Sequence, residues 1–261
     1  MAGKTSHWTR EQVLVALNLY TQLPFGQLDE NTPLIREIAR LLGRSPGALA
    51  MKLTNLASLD PDITASGRVG LKGCSKLDEQ VWTAFTTDRE NTVQESQALM
   101  DALVKETPLA SLSSEAEQDI PPVATEDQTT GTSQVKIRRG QAFFRRAVLA
   151  SYRSRCCMSG LQTPRLLVAS HIKPWNKDVG NRLNPHNGLC LSALHDRAYD
   201  LGFISVRPDY TIAISADLEQ DGSEFTAGVL CGLKGAAIDL PGKFRPDKTF
   251  LEWHYAEVFR G

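Results

Sequence analysis

Apolar residues recur at helical spacing through roughly the first sixty residues of the chain. One stripe follows Thr9, a second follows Asn31-Thr32, and a third follows Ser45-Pro46, and residues of these types commonly begin helices. Gly43 stands between the second and third stripes, where a helix can close in the left-handed conformation. We therefore expect three consecutive amphipathic helices, with inward-facing positions at Val13, Leu14, Leu17, Tyr20, Leu34, Ile35, Ile38, Leu41, Leu42, Leu49, Leu53 and Leu56.

The second and third of these helices resemble a helix-turn-helix. Ala39 is small where the two helices would cross, and Gly43 permits the tight turn that precedes the third helix. The pattern predicts a mainly helical, helix-turn-helix or winged-helix-like domain that reads DNA, although a plain three-helix bundle fits it too. Residues 67–73 have the composition of a small basic wing, and a further helix is expected around Leu77–Phe85. The exposed face of the third helix would offer Arg44, Ser45, Lys52 and Asn55 to a major groove as candidate DNA contacts.

The composition changes sharply near residue 106. Residues 106–134 contain six acidic residues, no basic ones and many Ser, Thr, Pro and Gln. Because this segment has few apolar side chains to bury, folding could not offset the conformational entropy that it would lose. We therefore expect a flexible acidic linker over residues 106–135. The predicted domains are a helical DNA-reading domain, 1–105, and a second domain, 136–261; an alternative role for the linker is to mask a basic surface.

Beyond the linker, the apolar pattern predicts a helix followed by strands. The helix is expected from about Gly140 to Arg153, and an apolar, β-like run covers residues 165–172. Asn187-Gly188 is typical of a hairpin turn, and the next four residues have the pattern of a short strand that leads into a helix bearing His195. Alternating Ile and Val between residues 203 and 240 predict further strands.

The near-zero net charge conceals a strongly basic block. Lys and Arg total 29 against 30 Asp and Glu, which excludes a uniformly basic nucleic-acid-binding protein. Residues 136–182, however, hold eleven Lys or Arg and one acidic residue, Asp178. Such an excess favours contact with nucleic acid phosphates over a merely solvated helix face. The candidate phosphate contacts are Arg139, Gln141, Arg145 and Arg182.

Cysteine usage and hydropathy narrow the class of protein. The five cysteines form no CxxC pair, so neither a disulfide framework nor a four-cysteine zinc site is expected. No apolar run approaches the roughly 18–20 residues that span a bilayer, and the first residues lack a hydrophobic signal core. These features predict a soluble, cytoplasmic protein without a membrane partner.

An ordered set of motifs in the C-terminal region resembles the HNH endonuclease family, and specifically its restriction-type members. The longest motif is Leu166-Leu167-Val168-Ala169-Ser170-His171-Ile172-Lys173-Pro174-Trp175, and the others include Arg139-Gly140-Gln141, Asn187-Gly188-Leu189 and Leu194-His195-Asp196-Arg197-Ala198-Tyr199-Asp200. The resemblance covers roughly residues 137–261. It implies an α+β chain with a ββα-metal nuclease domain, in which two antiparallel strands and a helix hold one divalent ion.

The resemblance also implies roles for individual residues. His171 would be the general base that activates water for hydrolysis of a DNA phosphodiester. Asn187 would hold the loop between the strands, so that a backbone carbonyl orients His171. Trp175 and His254 are expected mainly to pack, although base stacking by Trp175 and a site-orienting role for His254 are alternatives.

The implied cofactor is one divalent cation, Mg²⁺ or Mn²⁺. The resemblance makes His195 a metal ligand, and Ser170 takes the position at which many members have Asp or His as a second ligand. Asp196 and Asp200 are further candidates. A structural zinc, present in some relatives, is not expected because the second cysteine-containing pair that it needs is missing.

These features together predict a bacterial restriction endonuclease that acts on double-stranded DNA. The N-terminal domain would recognise a sequence or a modified cytosine, 5-methyl- or 5-hydroxymethylcytosine. One ββα site cuts one strand, so double-strand cleavage would need a homodimer or two encounters. The alternatives are a DNA-binding regulator with an inactive nuclease fold and a structure-specific nickase or homing-type nuclease.

Overall fold

The computed structural model of the chain describes residues 7–65, 67, 73–105, 107 and 131–261. The chain divides into two compact units, Met1–Phe143 and Phe144–Gly261. The division falls inside one long helix. Most of the predicted basic wing and most of the predicted acidic linker lie outside the described residues. None of the helices in the described ranges has both the length and the hydropathy that a membrane span requires.

The first unit is helical throughout its described residues. Its helices are α1 (Arg10–Gln22), α2 (Pro33–Leu41), α3 (Pro46–Leu59), α4 (Pro61–Ala65), α5 (Lys76–Thr87), α6 (Arg89–Val104) and the first part of α7 (Gly131–Ser151), with a 3₁₀ turn at Phe25–Gln27. α1 is the central element, because it packs against α3, α5 and α6. Its residues 13–21 are buried, which explains why this stretch is apolar on nearly every face.

The three helices predicted from the apolar stripes are confirmed, and local residues set their ends. Thr9 begins α1 in a reciprocal capping box with Gln12. Gly43, at a φ of 65°, follows α2 in the left-handed conformation that the sequence suggested. The Ser45 hydroxyl accepts a hydrogen bond from the Ala48 amide at 3.2 Å and caps α3. The helix expected around Leu77–Phe85 is α5.

Two candidate DNA contacts on α3 are buried, so the prediction that they are exposed is wrong. Lys52 is 6% exposed, and its Nζ lies 2.7 and 2.9 Å from the two carboxylate oxygens of Asp78. Asn55 is 8% exposed and donates to the Gly73 carbonyl at 3.3 Å. The physical reason is that α5 packs on this side of α3 and supplies the carboxylate. The outward side of α3 instead presents Met51.

The second unit is a mixture of helices and two short antiparallel sheets. Its elements are the rest of α7, then β1 (Leu167–His171), β2 (Gly188–Ser192), α8 (Ala193–Asp200), β3 (Ile204–Val206), β4 (Ile212–Ile214), α9 (Ala216–Glu219), α10 (Glu224–Val229) and α11 (Lys248–Glu257), with 3₁₀ turns at Pro164–Leu166, Val179–Asn181, Pro185–Asn187 and Cys231–Leu233. β1 pairs with β2, and β3 pairs with β4. Helices and small sheets in succession make the chain an α+β protein, as expected.

Three boundaries in this part of the chain differ from the sequence-based expectations. α7 begins at Gly131 rather than near Gly140, so residues 131–135 of the predicted linker are helical. Asn187 ends a 3₁₀ turn and Gly188 opens β2, so the pair does not form a two-residue hairpin turn. Residues 203–240 add β3 and β4 and then two short helices, because Ser215 and Ser223 cap helices instead of continuing the strand alternation.

Gly188 allows the β1–β2 hairpin to lie directly against α7. In the register of the hairpin Gly188 is opposite His171. A Cβ at this position would overlap the Val148 side chain and would come within 3.0 Å of the Phe144 ring and 3.1 Å of the Pro185 carbonyl. The absent side chain therefore lets β2, the strand paired with the one that carries His171, pack closely on the helix.

Candidate active site

His171 is the last residue of β1, and its ring is held on three sides. The ring stacks on Phe144, with centroids 3.8 Å apart and planes at 9°, and it meets the Trp175 ring edge-on at 5.6 Å. Its Nε2 lies 2.9 Å from the Arg182 carbonyl oxygen. A carbonyl can only accept a hydrogen bond, so in the neutral ring the proton is on Nε2 and Nδ1 carries the lone pair.

Burial keeps this imidazole neutral. It lowers the pKa of His171 to about 4, against the opposing effect of the hydrogen bond to the Arg182 carbonyl. The ring is therefore unprotonated at neutral pH and can accept a proton at Nδ1.

Asn187 braces the loop that supplies this carbonyl. Its side chain is fully buried, accepts from the Lys173 amide at 2.8 Å, and donates to the carbonyls of Lys173 and Asn181 at 3.0 and 3.3 Å. Its own carbonyl accepts from the Ile172 amide at 2.9 Å. Asn187 thus ties the residues that follow β1 to the residue just before Arg182.

His195 lies in the first turn of α8 and is 2% exposed. Its Nδ1 is 2.6 Å from the Ser192 hydroxyl oxygen and 3.9 Å from the Cys156 sulfur. Its Nε2 is buried and, within the part of the chain that the structure describes, has no hydrogen-bond partner. Burial raises the pKa of the Cys156 thiol, but hydrogen bonds with His195 and Ser159 outweigh that effect and bring the pKa to about 6.

Residues 156–207 match the family model of the HNH endonucleases. The second unit therefore contains an HNH endonuclease domain. The matched segment runs from Cys156 past β3 and includes β1, β2 and α8, the elements that carry His171, Asn187 and His195. A comparison of the chain with curated proteins found no match.

The HNH domain offers a small set of donors for the divalent metal that its family implies. Buried polar atoms normally have a partner, yet His195 Nε2 is buried without one among the described residues. The Asp196 carboxyl lies nearby: burial and Asp200 raise its pKa to about 6, and the Ser170 hydroxyl acts in the opposite direction. No group of three or more His, Cys, Asp or Glu side chains within the described ranges could enclose an ion. This sparse set fits a hard cation that keeps several of its waters.

Four of the predicted DNA-contact residues already make contacts within their own unit. Arg145 donates to the Leu167 and Pro164 carbonyls at 2.8 and 3.3 Å, and Arg182 donates to the Trp175 carbonyl at 2.7 Å. In the first unit Arg139 pairs with Asp101 at 3.0 Å, and Arg44 donates to the Gln12 side chain at 2.7 Å. Gln141 is half-buried on α7, and Ser45 is exposed as the cap of α3. Phosphate or base contact by these residues stays a prediction.

His254 packs against α8, the helix that carries His195, as expected. Its ring stacks on Tyr199 of α8 with centroids 3.7 Å apart, and its Nδ1 lies 2.9 Å from the Ser205 hydroxyl. Burial lowers the pKa of His254 to about 4, against the opposing effect of a hydrogen bond to the Tyr199 backbone.

The sequence-based prediction assigned no role at the site to three of its contributors: Ser192, Cys156 and the stacking ring of Phe144. Ser192 had a visible signal, because a serine three residues before His195 at the start of a helix has the spacing of an N-cap. Phe144 and Cys156 are among the residues by which the chain resembles the HNH family, and the apolar pattern also places Phe144 on the buried side of α7. Their proximity to the two histidines depends on long-range packing.

Proposed function

We propose that this chain is a divalent-metal-dependent DNA endonuclease whose HNH domain hydrolyses phosphodiester bonds. The observation that carries the proposal is the state of His171, a neutral imidazole whose hydrogen bond to a backbone carbonyl leaves Nδ1 free to accept a proton. The strand that bears it pairs with the strand that leads directly into the His195 helix.

In the proposed mechanism His171 is the general base. Its Nδ1 takes the proton from the attacking water while the Arg182 carbonyl holds Nε2–H, which keeps the lone pair aimed in one direction. Asn187 contributes by fixing the loop between the strands. An imidazole of pKa about 4 is a weak base, but an anionic phosphate nearby favours the imidazolium and would raise the pKa when DNA is bound.

His195 through Nε2, and Ser170 through Oγ, would hold the Mg²⁺ or Mn²⁺ ion, with Asp196 as a further candidate ligand. Such an ion, when bound, polarises the scissile phosphate and neutralises charge on the leaving oxygen. The support is that His195 Nε2 is buried without a hydrogen bond among the described residues, and that the Ser170 hydroxyl lies beside the Asp196 carboxyl.

The first unit is proposed to be the DNA-reading part of a cytoplasmic restriction enzyme. The support is the α2–turn–α3 geometry, with Gly43 in the left-handed conformation and Ser45 as cap. Lys52 and Asn55 are not among the proposed base or phosphate contacts, because both side chains are buried. Recognition of a sequence or of 5-methyl- or 5-hydroxymethylcytosine, and homodimerisation for double-strand cleavage, belong to the same proposal.

The test incubates the purified full chain with Mg²⁺ or Mn²⁺ and three DNAs: an unmodified plasmid, a cytosine-methylated plasmid, and phage DNA that carries hydroxymethylcytosine. His171→Ala should lower the cleavage rate by about 10²- to 10⁴-fold while DNA binding persists. His186→Ala is the matched control, since this histidine of the same loop contacts the Arg245 carbonyl instead of the site.

Each outcome of this experiment separates the candidate functions. Cleavage of modified DNA alone supports a modification-dependent restriction enzyme, whereas cleavage of every DNA supports a general nuclease. Selective nicking of branched substrates would favour the nickase. An inactive wild-type chain that still binds DNA would favour the regulator, and undiminished cleavage by His171→Ala would remove His171 from the mechanism.

A further inference from the structure

The two ring nitrogens of His195 have opposite surroundings. Nδ1 lies 2.6 Å from Ser192 Oγ and 3.9 Å from Cys156 Sγ, so two groups face it. Nε2 is buried and has no hydrogen-bond partner in the described part of the chain. One nitrogen of the ring is held by neighbouring side chains, and the other makes no hydrogen bond among the described residues. Metal-binding histidines are commonly held in this way, through the nitrogen that does not bind the metal.

The proton on this ring is best accommodated at Nδ1. An N–H at Nε2 would be a buried donor without an acceptor, which is costly. An N–H at Nδ1 finds the Ser192 oxygen, and the sulfur of Cys156 is a second, weaker acceptor on the same side. The Nδ1–H form leaves the Nε2 lone pair free, which is the form that binds a cation.

Ser192 is itself held by the backbone on both sides. It is the last residue of β2, paired with Leu167, and it is the N-cap of α8, where its oxygen also accepts from the His195 amide at 3.3 Å. One hydroxyl therefore receives both the backbone and the ring of the same histidine. This double contact ties the orientation of the ring to the start of the helix.

Cys156 is equally constrained. Its amide donates to the Leu161 carbonyl at 2.9 Å, its carbonyl accepts from the Gly160 amide at 2.9 Å, and its sulfur accepts from the Ser159 amide at 3.4 Å. The side chain is fully buried. The sulfur thus belongs to a tight turn that fixes its position beside the imidazole of His195.

We propose that Ser192 and Cys156 are positioning residues for the metal: they hold the His195 imidazole by Nδ1 and thereby direct the Nε2 lone pair to the ion. This inference rests on the proposed function, because it presupposes that His195 is a metal ligand. Ser192 carries most of the effect because its oxygen is nearer to Nδ1 than the sulfur is.

The experiment measures metal affinity, ring tautomer and stability separately on the full chain. Mn²⁺ affinity is followed by electron paramagnetic resonance, the tautomer of His195 by NMR of metal-free protein with ¹⁵N-labelled histidine, and stability by thermal unfolding. Ser192→Ala should weaken Mn²⁺ binding about 10-fold or more. It should also mix the two ring tautomers. Cys156→Val should have a smaller effect in the same direction, and Cys156→Ser, which restores an acceptor, should recover part of it.

Ser215→Ala is the matched control for the helix cap. Ser215 caps α9 in the same unit, accepting from the Leu218 amide at 3.3 Å, but it contacts no histidine among the described residues. Both serine variants lose a cap and should lower the unfolding midpoint by a few degrees, about 3 °C. Only Ser192→Ala should change Mn²⁺ affinity and the His195 tautomer.

The results distinguish failure of this inference from failure of the proposed function. If His195→Ala binds Mn²⁺ as tightly as the wild type, or the wild type binds none even with a DNA oligonucleotide present, the metal site itself is wrong. If His195→Ala weakens binding but Ser192→Ala and Cys156→Val leave both the affinity and the tautomer unchanged, the metal site stands and the positioning role is wrong.

Discussion

Replacing Lys52 by methionine tests the buried ion pair of the first unit. Lys52 and Asp78 have side chains only 7% and 0% exposed, and Nζ lies within 2.9 Å of both carboxylate oxygens. Lys52→Met keeps most of the aliphatic stem and removes the charge. Asp78 then remains as a buried carboxylate whose remaining contacts are the Ser75 amide at 2.9 Å and the first turn of α5.

The expected cost is large because one charge stays buried without its partner. Removing one member of a buried pair typically costs about 3–5 kcal/mol of unfolding free energy. Asp78 lies in the first turn of α5, where the helix dipole favours a negative charge, so we expect a cost of about 3 kcal/mol. Adding Asp78→Asn makes the site neutral and keeps an acceptor for the Ser75 amide. This second change should therefore recover most of the loss, to within about 1 kcal/mol of the wild type.

The assay is urea unfolding of the full chain, with DNA affinity measured against salt concentration. Arg40→Met is the matched control: its pair with Glu37 is exposed, 64% and 33%, so its loss should leave the free energy of unfolding close to that of the wild type. If Lys52→Met is as stable as the wild type but binds DNA more weakly, the buried ion pair does not stabilise the chain. In that case the slope of log affinity against log salt concentration should be smaller by about 0.9. That result would return Lys52 to the DNA surface.

Three further predictions concern the second unit. The pKa of His254 is about 4 in the folded chain and higher in the unfolded chain. Between these two values the unfolded state binds more protons, so the free energy of unfolding decreases as the pH is lowered. His254→Asn should escape about 2–3 kcal/mol of the loss between pH 7 and 4.5 in urea unfolding, and identical pH profiles would contradict the assignment. Gly188→Ala should cost about 1–3 kcal/mol because its Cβ would overlap Val148, whereas Gly228→Ala, with open space around it, should not; equal effects would contradict the packing. Asn187→Ala should cost about 2–4 kcal/mol in unfolding and reduce cleavage more than stability explains, since it removes three loop hydrogen bonds; an unchanged cleavage rate would count against its role.

The parts of the fold that depend on local chemistry could be predicted from the sequence. Thr9 and Ser45 cap helices through bonds to residues three positions away, and Gly43 adopts its φ whatever packs around it. β1, β2 and α8 could be predicted because apolar alternation and a helix start lie next to each other in the chain. His171 and His195 lie far apart in the sequence, and only the resemblance to the HNH family indicated that they belong to one site.

Contacts between residues far apart in the sequence could not be predicted. The partner of Lys52 is 26 residues away, so nothing near Lys52 indicates that its charge is neutralised inside the protein. α6 was missed because its buried side includes Thr92, Ser96 and Gln97, which break the apolar stripe. The contact between Cys156 and His195 spans 39 residues, so it too requires the folded chain.

The ring of His171 is oriented by a main-chain oxygen, and this makes the orientation insensitive to mutation at the position that supplies it. Every amino acid at position 182 would bring the same carbonyl, as long as the loop keeps its path. The Arg182 side chain takes part in keeping that path, because it donates to the Trp175 carbonyl of the same loop at 2.7 Å. Asn187 contributes more, because its side-chain amide donates to the carbonyls of both Lys173 and Asn181 and so joins the two arms of the loop. Over evolutionary time we expect residue 187 to stay the same, and residue 182 to vary only among side chains that can still donate to the Trp175 carbonyl.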